Sequence, residues 1–210
     1  MLPASAGLFA SALLGSRLAK RFPAKTLVRV GIAVLFVAVL ILLGTIDPEL
    51  DNALFLLGMG VLGVGMGLIV SQLGNVVQSA VSDRDLQNTA QQLGSSLGTA
   101  FLGAVVLTGL LTSFSANVES NPRISDEVQA QVQTRLSSGG SFVASTEVEA
   151  AAKKAGLDGE EVSEVVDSYE EAQLEALKTA LLFAAFLVLA AFFATRNLPA
   201  RRFDELAAPD

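Results

Sequence analysis

The sequence has no cysteine, histidine or tryptophan, and only 17% of its 210 residues are charged. The missing side chains exclude disulfides, zinc sites built from cysteine or histidine, and Ser-His-Asp or Cys-His catalysis. The net charge of -7 argues against a nucleic-acid partner, which would need a basic surface. We therefore predict a protein that is not an enzyme and that has no metal site and no cofactor.

Charge is missing altogether from five long stretches. These stretches hold 114 residues and comprise 1–16, 30–46, 52–82, 86–118 and 179–195. An apolar helix of about 17 to 25 residues is long enough to cross a bilayer, and ionised groups are costly at its centre. The pattern predicts an all-α integral membrane protein with about five transmembrane helices, for which the lipid bilayer is the immediate partner.

The charge pattern also divides the chain into segments. The predicted order is four spans within 1–114, an acidic loop over 115–177, a last span over 178–195 and a tail over 196–210. The first run is too short for a hydrocarbon core of about 30 Å. We interpret it as the truncated end of a span that begins upstream; the alternative is a re-entrant or interfacial segment.

The loop over 115–177 contains 13 acidic and 4 basic residues. We predict helices over 125–136 and 147–155, and a third helix that continues from residue 160 into the last span. The third helix should bury one apolar face. The predicted face consists of Val162, Val165, Val166, Tyr169, Leu174 and Leu177.

Basic residues mark one side of the predicted membrane. Nine of the fourteen lie in the 16–29 loop, the 82–85 turn and the tail. Because cytoplasmic segments carry an excess of lysine and arginine, we place the tail in the cytoplasm and the acidic loop outside it. The predicted location is the plasma (inner) membrane, crossed several times.

Amide side chains supply the main polar groups within the predicted spans. They recur on one helical face in each of two spans, as Gln72, Asn75 and Gln78 and as Asn88, Gln91 and Gln92. They either line a substrate path, or make interhelical hydrogen bonds and meet water at the mouth of the bundle. The predicted spans contain no carboxylate, so a proton carrier would have to lie outside this chain.

Glycines recur at a spacing typical of close helix contacts. Residues 58–63 match the dinucleotide motif G-x-G-x-x-G, but they lie within a long charge-free run rather than in a βαβ unit. The pairs Gly63/Gly67 and Gly94/Gly98 follow the small-xxx-small pattern. We predict that the glycine faces of the third and fourth spans pack closely against neighbouring helices.

Three segments resemble a known transporter family. Residues 15–25, followed by 27–31, resemble the basic loop motif in the C-terminal repeat of the major facilitator superfamily. Residues 58–78 and 88–100 are similar to spans of the 14-span drug:proton antiporter family, in which a large extracytoplasmic loop precedes the final span. The resemblance implies a partial major-facilitator-like bundle corresponding to the last five spans.

The implied function is export of drugs or small organic compounds by alternating access. A small-molecule substrate and protons would be handled together with the N-terminal half of the full-length protein, which this sequence does not include. The antiporter signature of the family, a Gly-Pro-containing span in that half, is correspondingly absent. Two alternatives remain: a small membrane accessory or scaffold protein without transport activity, and a subunit of a larger permease.

Overall fold

A computed structural model describes residues 2–46, 52–80, 84–137, 139 and 141–197, except for the side chains of Ser16, of residues 73–90 and of Asn197. Within these residues the secondary structure is entirely helical. The helices are α1 (Leu2–Leu18), α2 (Ala24–Thr45), α3 (Ala53–Ala80), α4 (Arg84–Ser120), α5 (Asp126–Ser137), α6 (Ser145–Lys154) and α7 (Gly159–Ala194), followed by a 3₁₀ turn at Thr195–Asn197. The all-α prediction is confirmed over this part of the chain.

Four of these helices contain segments long and apolar enough to cross a membrane. The helical ranges that contain such a segment are Ala24–Thr45, Ala53–Gln72, Gln91–Ser120 and Gly159–Ala194. The apolar part of α1, Leu2–Gly15, is shorter. Insertion into a membrane and a total of five spans stay predictions.

The chain divides into two compact units. Unit 1 comprises residues 1–98 and 181–210, and unit 2 comprises residues 99–180. The charge pattern had suggested a division at residue 115. The structural division lies earlier because Leu110 and Phe114, which precede that point, are buried in the core of unit 2. The charge-free run over 86–118 therefore contributes both to a long apolar helical segment and to the packed core of unit 2.

In unit 1, α1 runs parallel to α3. Ala4 lies beside Gly63, Ser11 beside Gly67 and Gly15 beside Ser71, so both residue numbers rise together along the contact. Helix α2 runs the opposite way: Gly31 lies beside Ile69, Leu35 beside Gly65 and Leu42 beside Gly58. The alternation of direction along α1, α2 and α3 is what successive membrane spans require.

Unit 2 is built on an antiparallel contact between α4 and α7. Gly109 lies against Ala176, and Asn117 Nδ2 donates to the carbonyl oxygen of Ser168 at 3.3 Å. The core around this contact consists of Leu110, Phe114, Val118, Ile124, Val128, Val165, Tyr169, Ala172 and Ala176. Burial of this apolar surface stabilises the unit.

Local signals in the sequence explain where the helices of unit 2 begin and end. Asp158 Oδ1 accepts the backbone N–H groups of Glu160 and Glu161 and so caps α7. Gly156, at φ 86°, ends α6 in the left-handed conformation that glycine adopts readily. The three helices predicted for this region are confirmed as α5, α6 and an unbroken α7.

Candidate functional site

The closest helix contact described in unit 1 joins α1 and α3 through their backbones. A Cβ atom added to Gly63 would overlap the carbonyl oxygen of Ala4, and one added to Gly67 would overlap Ser11 Oγ and the carbonyl oxygen of Leu8. Only glycine leaves room for another helix at these positions. We call this surface the α1–α3 contact.

Helix α1 contributes its own row of small residues to the α1–α3 contact. A Cβ atom on Gly7 would overlap the carbonyl oxygen of Gly60, and one on Gly15 would overlap Ser71 Oγ. Sequence reasoning missed these α1 positions, although Gly7, Ser11 and Gly15 recur at every fourth residue. That spacing is the same small-xxx-small signal as in α3.

Gln72 lies at the end of the α1–α3 contact and is fully buried. Its Nε2 donates to the carbonyl oxygen of Gly15 at 3.2 Å and to Ser71 Oγ at 3.1 Å. A buried amide without partners would cost free energy, so these bonds stabilise its position. This geometry corresponds to an interhelical hydrogen bond, one of the two interpretations that the sequence left open.

The other predicted amides are placed differently. Gln91 and Gln92 are exposed on α4. Asn75 and Gln78 belong to α3 and Asn88 belongs to α4, but their side chains lie outside the described residues. Of the three amides whose side chains are described, only Gln72 lies in the interior, so a shared substrate path stays a prediction.

The glycines of α4 do not repeat the arrangement in α3. A Cβ atom added to Gly94 or Gly98 would have no neighbouring atom within 4 Å. Among the described residues, close helix packing is therefore found at Gly63 and Gly67 of the third predicted span, but not at Gly94 and Gly98 of the fourth. The notch formed by Gly63 and Gly67 is filled by α1, whose small residues match it.

The ion pairs described in the structure lie in unit 2. Arg123 Nη1 and Glu164 Oε1 form an ion pair at 2.6 Å, and Asn121 Nδ2 donates to Glu164 Oε2 at 2.9 Å. The hydrogen bond from Asn121, followed by that from Arg123, lowers the pKa of Glu164. The carboxylate in turn raises the pKa of Arg123. The polar cluster ties residues 121–123 to α7.

Unit 2 also contains an apolar cavity of about 330 Å³. Its walls include Phe114, Val128, Val132, Leu136, Val148 and Leu157. This volume lies at the lower end of the range for small-molecule sites. Within the described part of the chain, no three acidic side chains are grouped so that they could hold a metal ion.

Comparisons with models of known protein families, with curated proteins and with solved structures find no match for this chain. The resemblance of residues 15–25, 58–78 and 88–100 to a transporter family therefore stays a prediction from the sequence. Function has to be inferred from the chain's own residues.

Proposed function

We propose that this chain is the C-terminal portion of a secondary active transporter of the major facilitator type, located in the plasma membrane. The full-length protein would export drugs or small organic compounds in exchange for protons. The observation that carries the proposal is the set of four long apolar helical segments. The motif resemblance of the basic loop and of two spans supports the choice of transport among membrane functions.

The packing within unit 1 suits one moving body of such a transporter. Alternating access requires two bundles that rock about a site near the middle of the membrane. The backbone contact between α1 and α3, closed by the hydrogen bond from Gln72 to Gly15, joins two parallel helices into one packed element. An element of this kind moves as a unit because its contacts leave no room to slide.

In the proposed full-length protein, the group that carries the proton belongs to the N-terminal half. The stretches 30–46, 52–82, 86–118 and 179–195 contain no Asp, Glu, Lys, Arg or His. Amide groups such as that of Gln72 orient a ligand but do not exchange a proton at neutral pH. Proton-coupled export therefore needs a titratable group within the membrane that these stretches do not supply.

The test is substrate efflux from proteoliposomes, measured with and without a pH gradient. We expect no gradient-dependent efflux from vesicles that contain only these 210 residues. Vesicles that also contain the N-terminal half, encoded upstream in the same reading frame as about nine further spans, should export substrate when the gradient is applied. Gradient-driven efflux by the isolated chain would contradict the proposal, as would the absence of upstream spans.

A membrane scaffold or accessory protein, alone or as a subunit of a larger permease, is the second candidate. It is favoured by Gln72, because an amide that donates to Gly15 and Ser71 serves helix packing without any substrate. This candidate predicts stable insertion into vesicles and no efflux in any combination with upstream spans. The same vesicle assay therefore separates the two candidates.

A further inference from the structure

Basic side chains are concentrated at one end of unit 1. They are Arg17, Lys20, Arg21, Lys25 and Arg29, which belong to α1, α2 and the segment between them, and Arg196 just after α7. The two ion pairs described in the structure, Arg123–Glu164 and Lys153–Glu149, both lie in unit 2. Among the described residues, no carboxylate neutralises this basic end.

Two of these residues attach the start of α2 to the end of α7. Lys25 Nζ donates to the carbonyl oxygen of Arg196 at 2.7 Å, and the guanidinium carbon of Arg29 lies 5.1 Å from the centre of the Phe192 ring. Lys25 and Arg29 are one helical turn apart, so both face α7. The two helices run antiparallel here, and their basic groups lie at the same level.

Arg29 has a polar atom that nothing satisfies in the described part of the chain. Its Nε is buried and has no hydrogen-bond partner there. A buried donor without an acceptor costs free energy, and the planar guanidinium matches a phosphate or carboxylate through two parallel bonds. This end of the α2–α7 contact therefore favours an oxyanion.

An apolar cleft continues from this basic end between the same two helices. It has a volume of about 210 Å³ and is lined by Ile32, Ala33, Phe36, Val37, Val188, Leu189 and Phe192. From Lys25 to Val37 the helix rises roughly 18 Å at 1.5 Å per residue, close to half of a hydrocarbon core of about 30 Å. Phe192 belongs both to the cleft and to the contact with Arg29.

We infer that the α2–α7 cleft binds one anionic phospholipid. The phosphate lies against Lys25 and Arg29, and an acyl chain occupies the cleft that ends near Val37. The order of groups along α2, first cationic and then apolar, matches the order of headgroup and chain in a lipid. Free inorganic phosphate would pair with the cations but leave the apolar cleft unfilled. The site rests on the membrane insertion in the proposed function, because only then is a lipid adjacent.

The absence of tryptophan makes a fluorescence test possible. The full chain with Phe36→Trp carries its single indole in the cleft, where a brominated acyl chain quenches its emission. The matched reporter is Phe186→Trp, because Phe186 is also on α7 but is 64% exposed and does not line the cleft. Each chain is placed in phosphatidylcholine vesicles that contain a minor fraction of brominated phosphatidylglycerol or brominated phosphatidylcholine.

We expect brominated phosphatidylglycerol to quench the Phe36→Trp reporter severalfold more effectively than brominated phosphatidylcholine, with no such preference for Phe186→Trp. In the Phe36→Trp background, Lys25→Gln and Arg29→Gln should each reduce the preference for phosphatidylglycerol over phosphatidylcholine roughly fivefold. Arg29→Lys should retain more of it than Arg29→Gln, which separates loss of charge from misfolding. Arg17→Gln removes an exposed charge that contacts neither the cleft nor α7 in the described residues, so it should reduce the preference much less than Lys25→Gln or Arg29→Gln.

Several outcomes would overturn the lipid site. The site is excluded if the two brominated lipids quench Phe36→Trp equally, or if Phe186→Trp shows the same preference for phosphatidylglycerol as Phe36→Trp. It is also excluded if Arg17→Gln loses as much of the preference as Lys25→Gln or Arg29→Gln. Each of these results would show a diffuse effect of charge. Loss of the preference on addition of inorganic phosphate would show that the cations bind an anion without its chain. Quenching of neither reporter by either lipid would instead show that the chain is not in the bilayer, and the proposed function would fail with it.

Discussion

The side-chain amide of Gln72 donates a hydrogen bond to the carbonyl oxygen of Gly15, 3.2 Å away, and joins α3 to α1 at the end of their glycine contact. The contact between α1 and α3 at this point depends on both residues. A Cβ atom at Gly15 would overlap Ser71 Oγ, the second acceptor of the same amide. The bond and the close glycine contacts therefore fix the register of the two helices together.

Replacing Gln72 with leucine should weaken the α1–α3 contact. The substitution removes the hydrogen bond to Gly15, and interhelical bonds of this kind contribute about 0.6 to 2 kcal/mol in membranes. We expect a lower midpoint in thermal unfolding of the full chain in detergent micelles. The matched control is Gln91→Leu, because Gln91 is an exposed amide on α4.

Equal midpoints for Gln72→Leu and Gln91→Leu would show that the bond to Gly15 contributes nothing to stability. A role in the substrate path has a different signature. In the transporter that we propose, it would change the KM for efflux in a Gln72→Asn variant whose unfolding midpoint is unaltered.

Replacing Gly63 with leucine should separate α1 from α3, because a side chain there collides with the backbone at Ala4. Overpacking at such a site costs about 1 to 3 kcal/mol. Gly98→Leu is the control, since its Cβ would have no neighbour within 4 Å. The chain has no native cysteine, so spin labels at Phe9→Cys and Val70→Cys report the distance between α1 and α3. An unchanged distance in Gly63→Leu would contradict the contact.

Removing the hydroxyl of Tyr169 should loosen the segment between α5 and α6. Tyr169 Oη accepts the N–H of Val143 at 3.1 Å and donates to its carbonyl oxygen at 3.0 Å. Its ring also packs edge-on against Phe114, with centroids 5.2 Å apart, and Tyr169→Phe keeps that contact. We expect a loss of about 1 kcal/mol per bond, seen as faster hydrogen exchange at Val143. Unchanged exchange at this amide would show that the hydroxyl is not needed to hold it.

The pKa of Glu164 makes the stability of unit 2 depend on pH. Hydrogen bonds from Asn121 and Arg123 lower this pKa in the folded state. Their stabilising effect is therefore complete above the ordinary glutamate pKa of about 4.3 and is lost as the pH falls through the lowered value. We expect the stability advantage of the native chain over Glu164→Gln to shrink as the pH falls below about 4.3.

Hydrogen exchange within unit 2 at a series of pH values measures that advantage. Asn121→Ala removes the largest cause of the shift and should move the loss of stability to higher pH. A constant difference between the native chain and Glu164→Gln across the range would contradict the assignment.

The orientation expected from the basic residues is tested by labelling single cysteines in intact cells. Ser141 in unit 2 and Thr26 near the start of α2 are both exposed. An impermeant thiol reagent should modify Ser141→Cys from outside, and should reach Thr26→Cys only after lysis. If Thr26→Cys reacts in intact cells and Ser141→Cys reacts only after lysis, the predicted topology is reversed. If both cysteines react in intact cells, they do not lie on opposite sides of the membrane.

Local patterns were sufficient to predict where helices form. The predicted helix over 125–136 is found as Asp126–Ser137, and α7 is unbroken because no glycine or proline interrupts residues 160–194. Helix formation follows from backbone preferences and apolar periodicity, and both are properties of neighbouring residues.

The buried face of α7 was only partly predictable. Val162, Val165 and Tyr169 are buried as expected, but Leu177 is 39% exposed. The face continues instead through Ala172 and Ala176, each with no exposed surface. Hydrophobicity favours leucine at a core position. A Cβ atom added to Gly109 would lie only 3.4 Å from Ala176 Cα, so the two backbones approach closely here and the contact favours a small side chain.

The sequence by itself determined the helical class, the apolar segments and the presence of glycine notches, because each is set by residues close together in the chain. Only the tertiary structure decided which helix fills a notch. Gly63/Gly67 and Gly94/Gly98 have the same spacing, but α1 enters the first pair and no described atom lies within 4 Å of the second. A glycine pair of this kind shows only that another helix backbone has room to approach. Helix α1 is the partner of Gly63/Gly67 because it carries a matching row of small residues, and because the hydrogen bond from Gln72 to Gly15 joins α3 to α1.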